Sequence, residues 1–390
     1  MNQRFLSLDI FRGATVAGMI LVNNPGSWSN IFGPLKHAPW HGCTPTDLVF
    51  PFFLFAVGNA LAFVMPRLEQ AGQAAFLKKV FTRSLLIYII GLLLTWWPFV
   101  QWQDGSLAFK HWVDPQNPDR GIRILGVLPR IALAYLFASL VIYYLKLRGA
   151  ALVSVVLLSG YWALCYFLGA PADPYSMEGF FGTAVDKAVL GVPHMYKGEG
   201  VPFDPEGLVS TLPTIVQVIF GYFAGYYIRT RGKTWEMLST LFLAGCLLIL
   251  AGQSWDLLFP INKKIWTSSY VFYTTGLALL VLSVILYFVE FRKKEGAYTR
   301  FFTAFGKNPL FIFVLSGLLP KTLSLFRWVD HYTEAGKAVY TSPLPWFYRN
   351  VCMPLFNDPR MASLLYALLF VTLMWAIAWW MDRKRIYIKV

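Results

Sequence analysis

Apolar runs long enough to cross a membrane recur from one end of the sequence to the other. They lie near 5–24, 47–66, 77–97, 122–145, 150–169, 209–228, 236–255, 268–291, 301–320 and 361–381. A helix needs about 20 mostly apolar residues to traverse the hydrocarbon core, so these runs predict an all-α polytopic membrane protein of about ten transmembrane helices in a lipid bilayer. Composition agrees. Of the 390 residues, 57% are hydrophobic and 14% charged, against roughly 25% charged in soluble domains. The mean hydropathy is +0.52.

The formal net charge of +14 would suit a nucleic-acid partner if the basic residues shared one polar face. They come instead as short clusters between apolar runs, which reads as topology and sets nucleic acid aside. Arg67, Lys78, Lys79 and Arg83 form one cluster, Lys146 and Arg148 a second, Arg229, Arg231 and Lys233 a third, and Arg292, Lys293 and Lys294 a fourth. Arg383, Lys384, Arg385 and Lys389 close the chain in the same way. The positive-inside rule then places both termini in the cytoplasm.

The alternate connections, 25–46, 98–121, 170–208, 256–267 and 321–360, face outward, into the periplasm of a bacterial inner membrane. Loops this long in a compact protein tend to form lids or binding surfaces, yet none holds enough apolar residues for a core of its own. Residues 1–390 therefore read as a single transmembrane domain, without an internal repeat. A cleavable signal peptide is not expected, because Asp9 and Arg12 interrupt the first run. The four cysteines, Cys43, Cys165, Cys246 and Cys352, lack CxxC or CxxH spacing, so no metal site is expected.

Chemistry concentrates in residues 33–53, GPLKHAPWHGCTPTDLVFPFF. The segment carries His37 and His41 around Trp40, then a Thr-Pro-Thr-Asp run that ends where an apolar run begins. Thr46 or Asp47 is a candidate N-cap, since a short oxygen-bearing side chain accepts the orphan amides of a first turn. An imidazole moves protons near neutral pH, and a neighbouring carboxylate can orient it. The same residues would also suit an ordinary membrane interface.

Charges inside the spans are the other signal, because they are costly there and usually face a bundle interior or a wet cavity. Asp9 and Arg12 sit three apart and can pair. Arg123 and Arg130, seven apart, share a helical face, and Arg130 lies about 10 Å deeper, beyond easy snorkelling. Asn23 and Asn24 close the first span, as caps or as functional amides. Asn262-Lys263-Lys264 is basic on the outer side, against the positive-inside trend, which points to an anionic partner. Lys307 precedes Asn308-Pro309 in the inner half of the ninth span and needs a counter-charge or water.

Several of these pieces together resemble the transmembrane N-acetyltransferases typified by heparan-α-glucosaminide N-acetyltransferase. They are residues 6–13 (LSLDIFRG), 21–24 (LVNN), 36–40 (KHAPW) with Gly42, and 47–51 (DLVFP). Further on come residues 123–130 (RILGVLPR), 204–207 (DPEG), and Asn262-Lys263-Lys264 with Trp266, Ser269 and Tyr270. The resemblance implies acetyl transfer from acetyl-CoA to the amine of a terminal glucosamine, by a homodimer of multi-span protomers. It also maps the essential histidine onto His37 and a nearby asparagine onto Asn23. The chain has no large extra-cytoplasmic domain before its first span, so a free amino sugar or a short saccharide is the expected acceptor.

On that reading His37 is the general base, Asp47 holds its tautomer, and Asn23 donates to the carbonyl oxygen as charge develops there. Coenzyme A carries three phosphates and needs cations, for which Arg12, Arg123, Arg130, Lys263, Lys264 and Lys307 are the candidates. Two other readings stay open. One is a membrane transporter of a sugar or anion, using the buried charges as its path. The other is an O-acyltransferase acting on an envelope glycan.

Overall fold

The computed structural model describes residues 5–103 and 105–388; Lys389 lies outside them. Helix α1 spans Leu6–Asn23, α2 Pro45–Gln70 and α3 Gln73–Trp96. Two short antiparallel hairpins follow, β1 (Val100–Gln103) with β2 (Ser106–Phe109) and β3 (Val113–Asp114) with β4 (Asn117–Gly121). Then come α4 (Val127–Leu168), a short α5 (Phe181–Leu190), α6 (Thr211–Arg231), α7 (Trp235–Asp256) and α8 (Ser268–Leu286), which continues as one π-turn to Phe291. Helices α9 (Ala297–Lys307) and α10 (Pro309–Leu323) precede a third hairpin, β5 (Trp328–Tyr332) with β6 (Ala338–Thr341). Short α11 (Pro343–Phe347) and long α12 (Pro359–Arg383) complete the chain.

Seven single helices among the described residues are long and apolar enough to cross a membrane, and eight if the bent pair α9–α10 counts as one span. Each departure from the expected runs has a local cause. The fourth and fifth runs form one continuous α4, broken only by non-helical dihedrals at Lys146. The ninth run is two helices bent by 82°, where Pro309 has no amide hydrogen to continue the ladder and Asn308 takes a non-helical conformation. The three hairpins were not expected. Their strands are two to five residues long, too short to show a periodic pattern in an aromatic-rich loop.

The loops between alternate helices gather at one end of the bundle. Trp40 Nε1 donates to the Tyr175 carbonyl at 2.8 Å, Gly42 N to the Ile261 carbonyl at 2.7 Å, and Trp102 Nε1 to the Leu325 carbonyl at 3.1 Å. At the opposite end, charged residues cross-link the helix ends. Lys146 meets Glu69 at 2.8 Å, Lys233 meets Glu290 at 2.5 Å, and Lys307 meets Asp382 at 2.8 Å.

The core between the ends is aliphatic and aromatic, with Val16, Leu54, Ala62, Val216, Val218 and Ile312 fully buried. Helices α1 and α9 cross closely because glycines meet there. A Cβ on Gly13 would stand 1.8 Å from the Phe302 carbonyl oxygen, and one on Gly306 2.1 Å from that of Asp9. This crossing brings the cations near the start of α1 against the end of α9.

Candidate functional site

Helix α2 begins earlier than expected. Its N-cap is Thr44, with Pro45 at the first position, where a residue lacking an N–H leaves nothing unsatisfied. Asp47 is therefore the third helical residue rather than the cap, and its carboxylate turns back over the preceding loop. Oδ2 accepts the backbone amides of Ala38 and Thr44, each at 3.0 Å. Oδ1 lies 2.6 Å from His37 Nδ1. A buried carboxylate needs such partners, and Asp47 is 1% exposed while the His37 side chain is 41% exposed. The tyrosine hydroxyl of Tyr270, on α8, donates to the Asp47 carbonyl at 2.5 Å and fixes the same turn from behind.

Charge complementarity assigns the proton at this contact. A neutral imidazole donating Nδ1–H to the carboxylate keeps Nε2 as its unprotonated nitrogen. Cys43 nearby is not a competing nucleophile, because burial first and Asp47 second push its thiol up to about 12.

The loop between α7 and α8 brings a second charge. Gly42 and Asn262 form an isolated parallel bridge. Asn262 Oδ1 accepts the Ile265 amide at 3.1 Å, and Thr267 caps α8 by accepting the Tyr270 amide. Trp266 takes a left-handed φ of 51° within this turn. So held, Lys263 places Nζ 3.5 Å from Asp47 Oδ1 and 3.0 Å from His37 Nδ1. Lys264 points elsewhere, to Glu199 at 2.6 Å and the Pro39 carbonyl at 2.9 Å.

The two arginines of the fourth run end up beneath the long loops at the His37 end of the bundle. Arg123 pairs with both Asp204 and Glu206. Burial alone would lower its guanidinium, but Glu206 and Asp204 outweigh burial and raise it. Arg130 is fully buried, bonds the Gly207 carbonyl and Ser210 hydroxyl, and lies over the Trp266 ring at 5.2 Å. Asp186 is buried beside them and accepts the Leu208 amide at 2.9 Å. Burial raises its carboxyl to about 6.

Arg12 and Lys307 belong to the opposite end. They line a cavity of about 620 Å³ together with Lys79, Arg83 and Asp9. Arg12 bonds the Gly306 carbonyl at 3.2 Å and pairs with Asp9 at 3.4 Å. The cavity wall continues upward along Phe53, Val57, Leu128 and Ile131. Phe53 is six residues beyond Asp47 on α2, about 9 Å along the helix axis. The cavity thus extends from its cation-lined part along α2 in the direction of the Asp47 turn.

No family model matches the chain. Heparan-alpha-glucosaminide N-acetyltransferase of Homo sapiens is 28% identical over 367 residues, covering 80% of this chain and 52% of that protein. The Mus musculus protein of the same name is 27% identical over the same length, covering 80% and 53%. The chain is similar to both of these acetyltransferases over most of its own length. It spans about half the length of the curated relatives it matches.

Within this heparan-alpha-glucosaminide N-acetyltransferase relative, the expected site residues divide into three places. His37 and Asp47 meet at the loop end, with Lys264 bonded to the carbonyl of Pro39, two positions beyond His37. Arg123 and Arg130 form a buried charge layer with Asp204, Glu206 and Asp186. Arg12 and Lys307 lie in the cavity at the other end. Asn23 is exposed at the last turn of α1, and among the described residues no hydrogen bond joins it to His37 or Asp47. Two cavity cations were missed, Lys79 and Arg83. Their spacing of four puts both on one face of α3, which was the available signal, but they read as topology-setting residues.

Proposed function

We propose that the chain is a transmembrane N-acetyltransferase that moves acetyl from acetyl-CoA to the amine of glucosamine or a short glucosamine-containing saccharide. The observation that carries this reading is the 2.6 Å contact between His37 Nδ1 and the buried Asp47 carboxylate, in a chain whose relatives are named N-acetyltransferases. In this reading the chain crosses a bacterial inner membrane ten times. Helix α4 supplies two crossings, divided at Lys146, α3 supplies one, and α9–α10 form one broken span. Both termini are cytoplasmic and the His37 loop faces out.

The cavity at the cytoplasmic end is the site for the nucleotide end of acetyl-CoA. Lys79, Arg83, Arg12 and Lys307 line it and suit phosphate groups, the last two shared with Asp9 and Asp382, and the buried Arg83 Nε has no hydrogen-bond partner among the described residues. An apolar upper wall suits an uncharged arm. Bound there, acetyl-CoA supplies the acetyl group as a thioester.

The chain's own part is proton transfer and orientation. Asp47 holds His37 with Nδ1–H toward the carboxylate, so that Nε2 faces the acceptor. His37 Nε2 takes a proton from the acceptor nitrogen as that nitrogen bonds to the acetyl carbon and the carbon–sulfur bond breaks. The sulfur leaves with the bonding pair, and the proton on His37 balances it when it is returned. The test is acetyl transfer to glucosamine by the purified chain and its loss in His37→Ala.

A further inference from the structure

Lys263 touches the His37 ring at both nitrogens, with Nζ 3.0 Å from Nδ1 and 3.4 Å from Nε2. The same nitrogen stands 3.5 Å from Asp47 Oδ1. A group this close to two ring atoms meets the imidazole as a body, not as one hydrogen-bond partner. Nδ1 is already engaged with the carboxylate, so Lys263 acts on the ring chiefly through its charge.

The two neighbours pull in opposite directions. A carboxylate beside an imidazole favours the charged imidazolium, and an ammonium beside it disfavours that form. A base already carrying its proton cannot accept another from the acceptor amine. Asp47 orients the ring, yet its charge favours the form that cannot accept a proton.

We propose that Lys263 is a positioning residue that offsets Asp47 and keeps the His37 imidazole uncharged, and so able to accept a proton, in the neutral range. The role rests on His37 being the base of the acetyl transfer described above. The surroundings fit it. Burial draws the Lys263 ammonium below its ordinary range, while Asp47 on α2 and Glu206 in the 191–210 loop pull it back up. Cys43 faces the same group with its thiol held neutral. The neighbouring Lys264 is committed to Glu199, and His41 is reached by Asn262 Nδ2 at 3.4 Å. The turn capped by Thr267 and bridged to Gly42 fixes where the ammonium stands.

Two readouts on the full chain in detergent test the proposal. Diethyl pyrocarbonate modifies uncharged imidazole, so its reaction at His37, mapped by peptide mass, reports the charge of that ring against pH. In Lys263→Met the midpoint moves toward alkaline pH by about one unit, a roughly tenfold loss of modification on the acid side. Lys263→Arg restores the wild-type midpoint. The acid limb of acetyl transfer to glucosamine moves by the same amount, with the rate recovering at alkaline pH. Lys263→Gln replaces the methionine variant if that one does not fold. An unmoved midpoint, with modification or rate reduced equally at every pH, overturns the role. Absence of transfer in the wild type counts against the acetyltransferase reading alone, because the modification midpoint still decides Lys263.

Discussion

His37 Nδ1 and Asp47 Oδ1 are 2.6 Å apart, one on a side chain that reaches the surface and the other on a side chain that is 1% exposed. The buried member is held by two backbone amides as well, so the ring inherits its orientation from the start of α2. Asp47→Asn keeps the size but presents an amide NH₂ where one oxygen accepted. The expected result is a fall in kcat of roughly 10²–10⁴-fold, with KM for acetyl-CoA little changed. Steady-state kinetics with the acceptor saturating checks the split.

The cavity cations separate from the loop cations in a binding experiment. Arg12→Ala and Arg83→Ala each weaken acetyl-CoA binding by roughly tenfold or more, as expected for losing a charge-assisted contact to phosphate. Lys264→Ala, at the other end of the bundle and paired with Glu199, leaves that affinity unchanged. Isothermal titration of the three variants with acetyl-CoA is the measurement. Equal losses in all three would remove the assignment of acetyl-CoA to the cavity.

Packing at the α1–α9 crossing gives a stability prediction with a functional consequence. A methyl group on Gly13 meets backbone atoms, 1.8 Å from the Phe302 oxygen and 2.9 Å from the Gly306 nitrogen. Gly13→Ala is expected to cost about 1–3 kcal/mol and to weaken acetyl-CoA binding, because α9 carries Lys307 into the cavity. Gly18→Ala meets only the Val49 side chain at 3.1 Å and is the milder change. Thermal unfolding in one detergent ranks the two.

Asp186 makes stability depend on pH. Burial raises its carboxyl to about 6, above the unfolded value, so the folded state binds the proton more tightly than the unfolded state. Stability is then highest at acid pH and falls as pH rises from about 4 to about 6, with the full penalty above that window. Asp186→Asn removes the charge while its amide oxygen can still accept the Leu208 amide. The variant is expected to gain up to ~3 kcal/mol over the wild type at pH 8 and little near pH 4. Melting curves at the two pH values check the sign.

The features legible in the sequence were those that chain-local physics dictates. Apolar length located the helices, and the basic clusters sorted the loops into two ends. His37 and Asp47 were legible together because only ten positions and one helix start separate them. Lys263 was harder, since its approach to His37 depends on the Gly42–Asn262 bridge between distant loops. The grouping of Arg12 and Lys307 with Lys79 and Arg83 was illegible for the same reason. It arises where α1 crosses α9 beside α3, and spacing within one helix says nothing of such a crossing. Arg123 is the opposite case. Its charge suggested phosphate, yet Asp204 and Glu206 occupy it.

The most direct measurement is acetyl transfer from labelled acetyl-CoA to glucosamine by the purified chain in detergent, beside His37→Ala. The expected result is labelled N-acetylglucosamine from the wild type and none from the variant, with acetyl-CoA binding retained in both. Undiminished product from His37→Ala would contradict it.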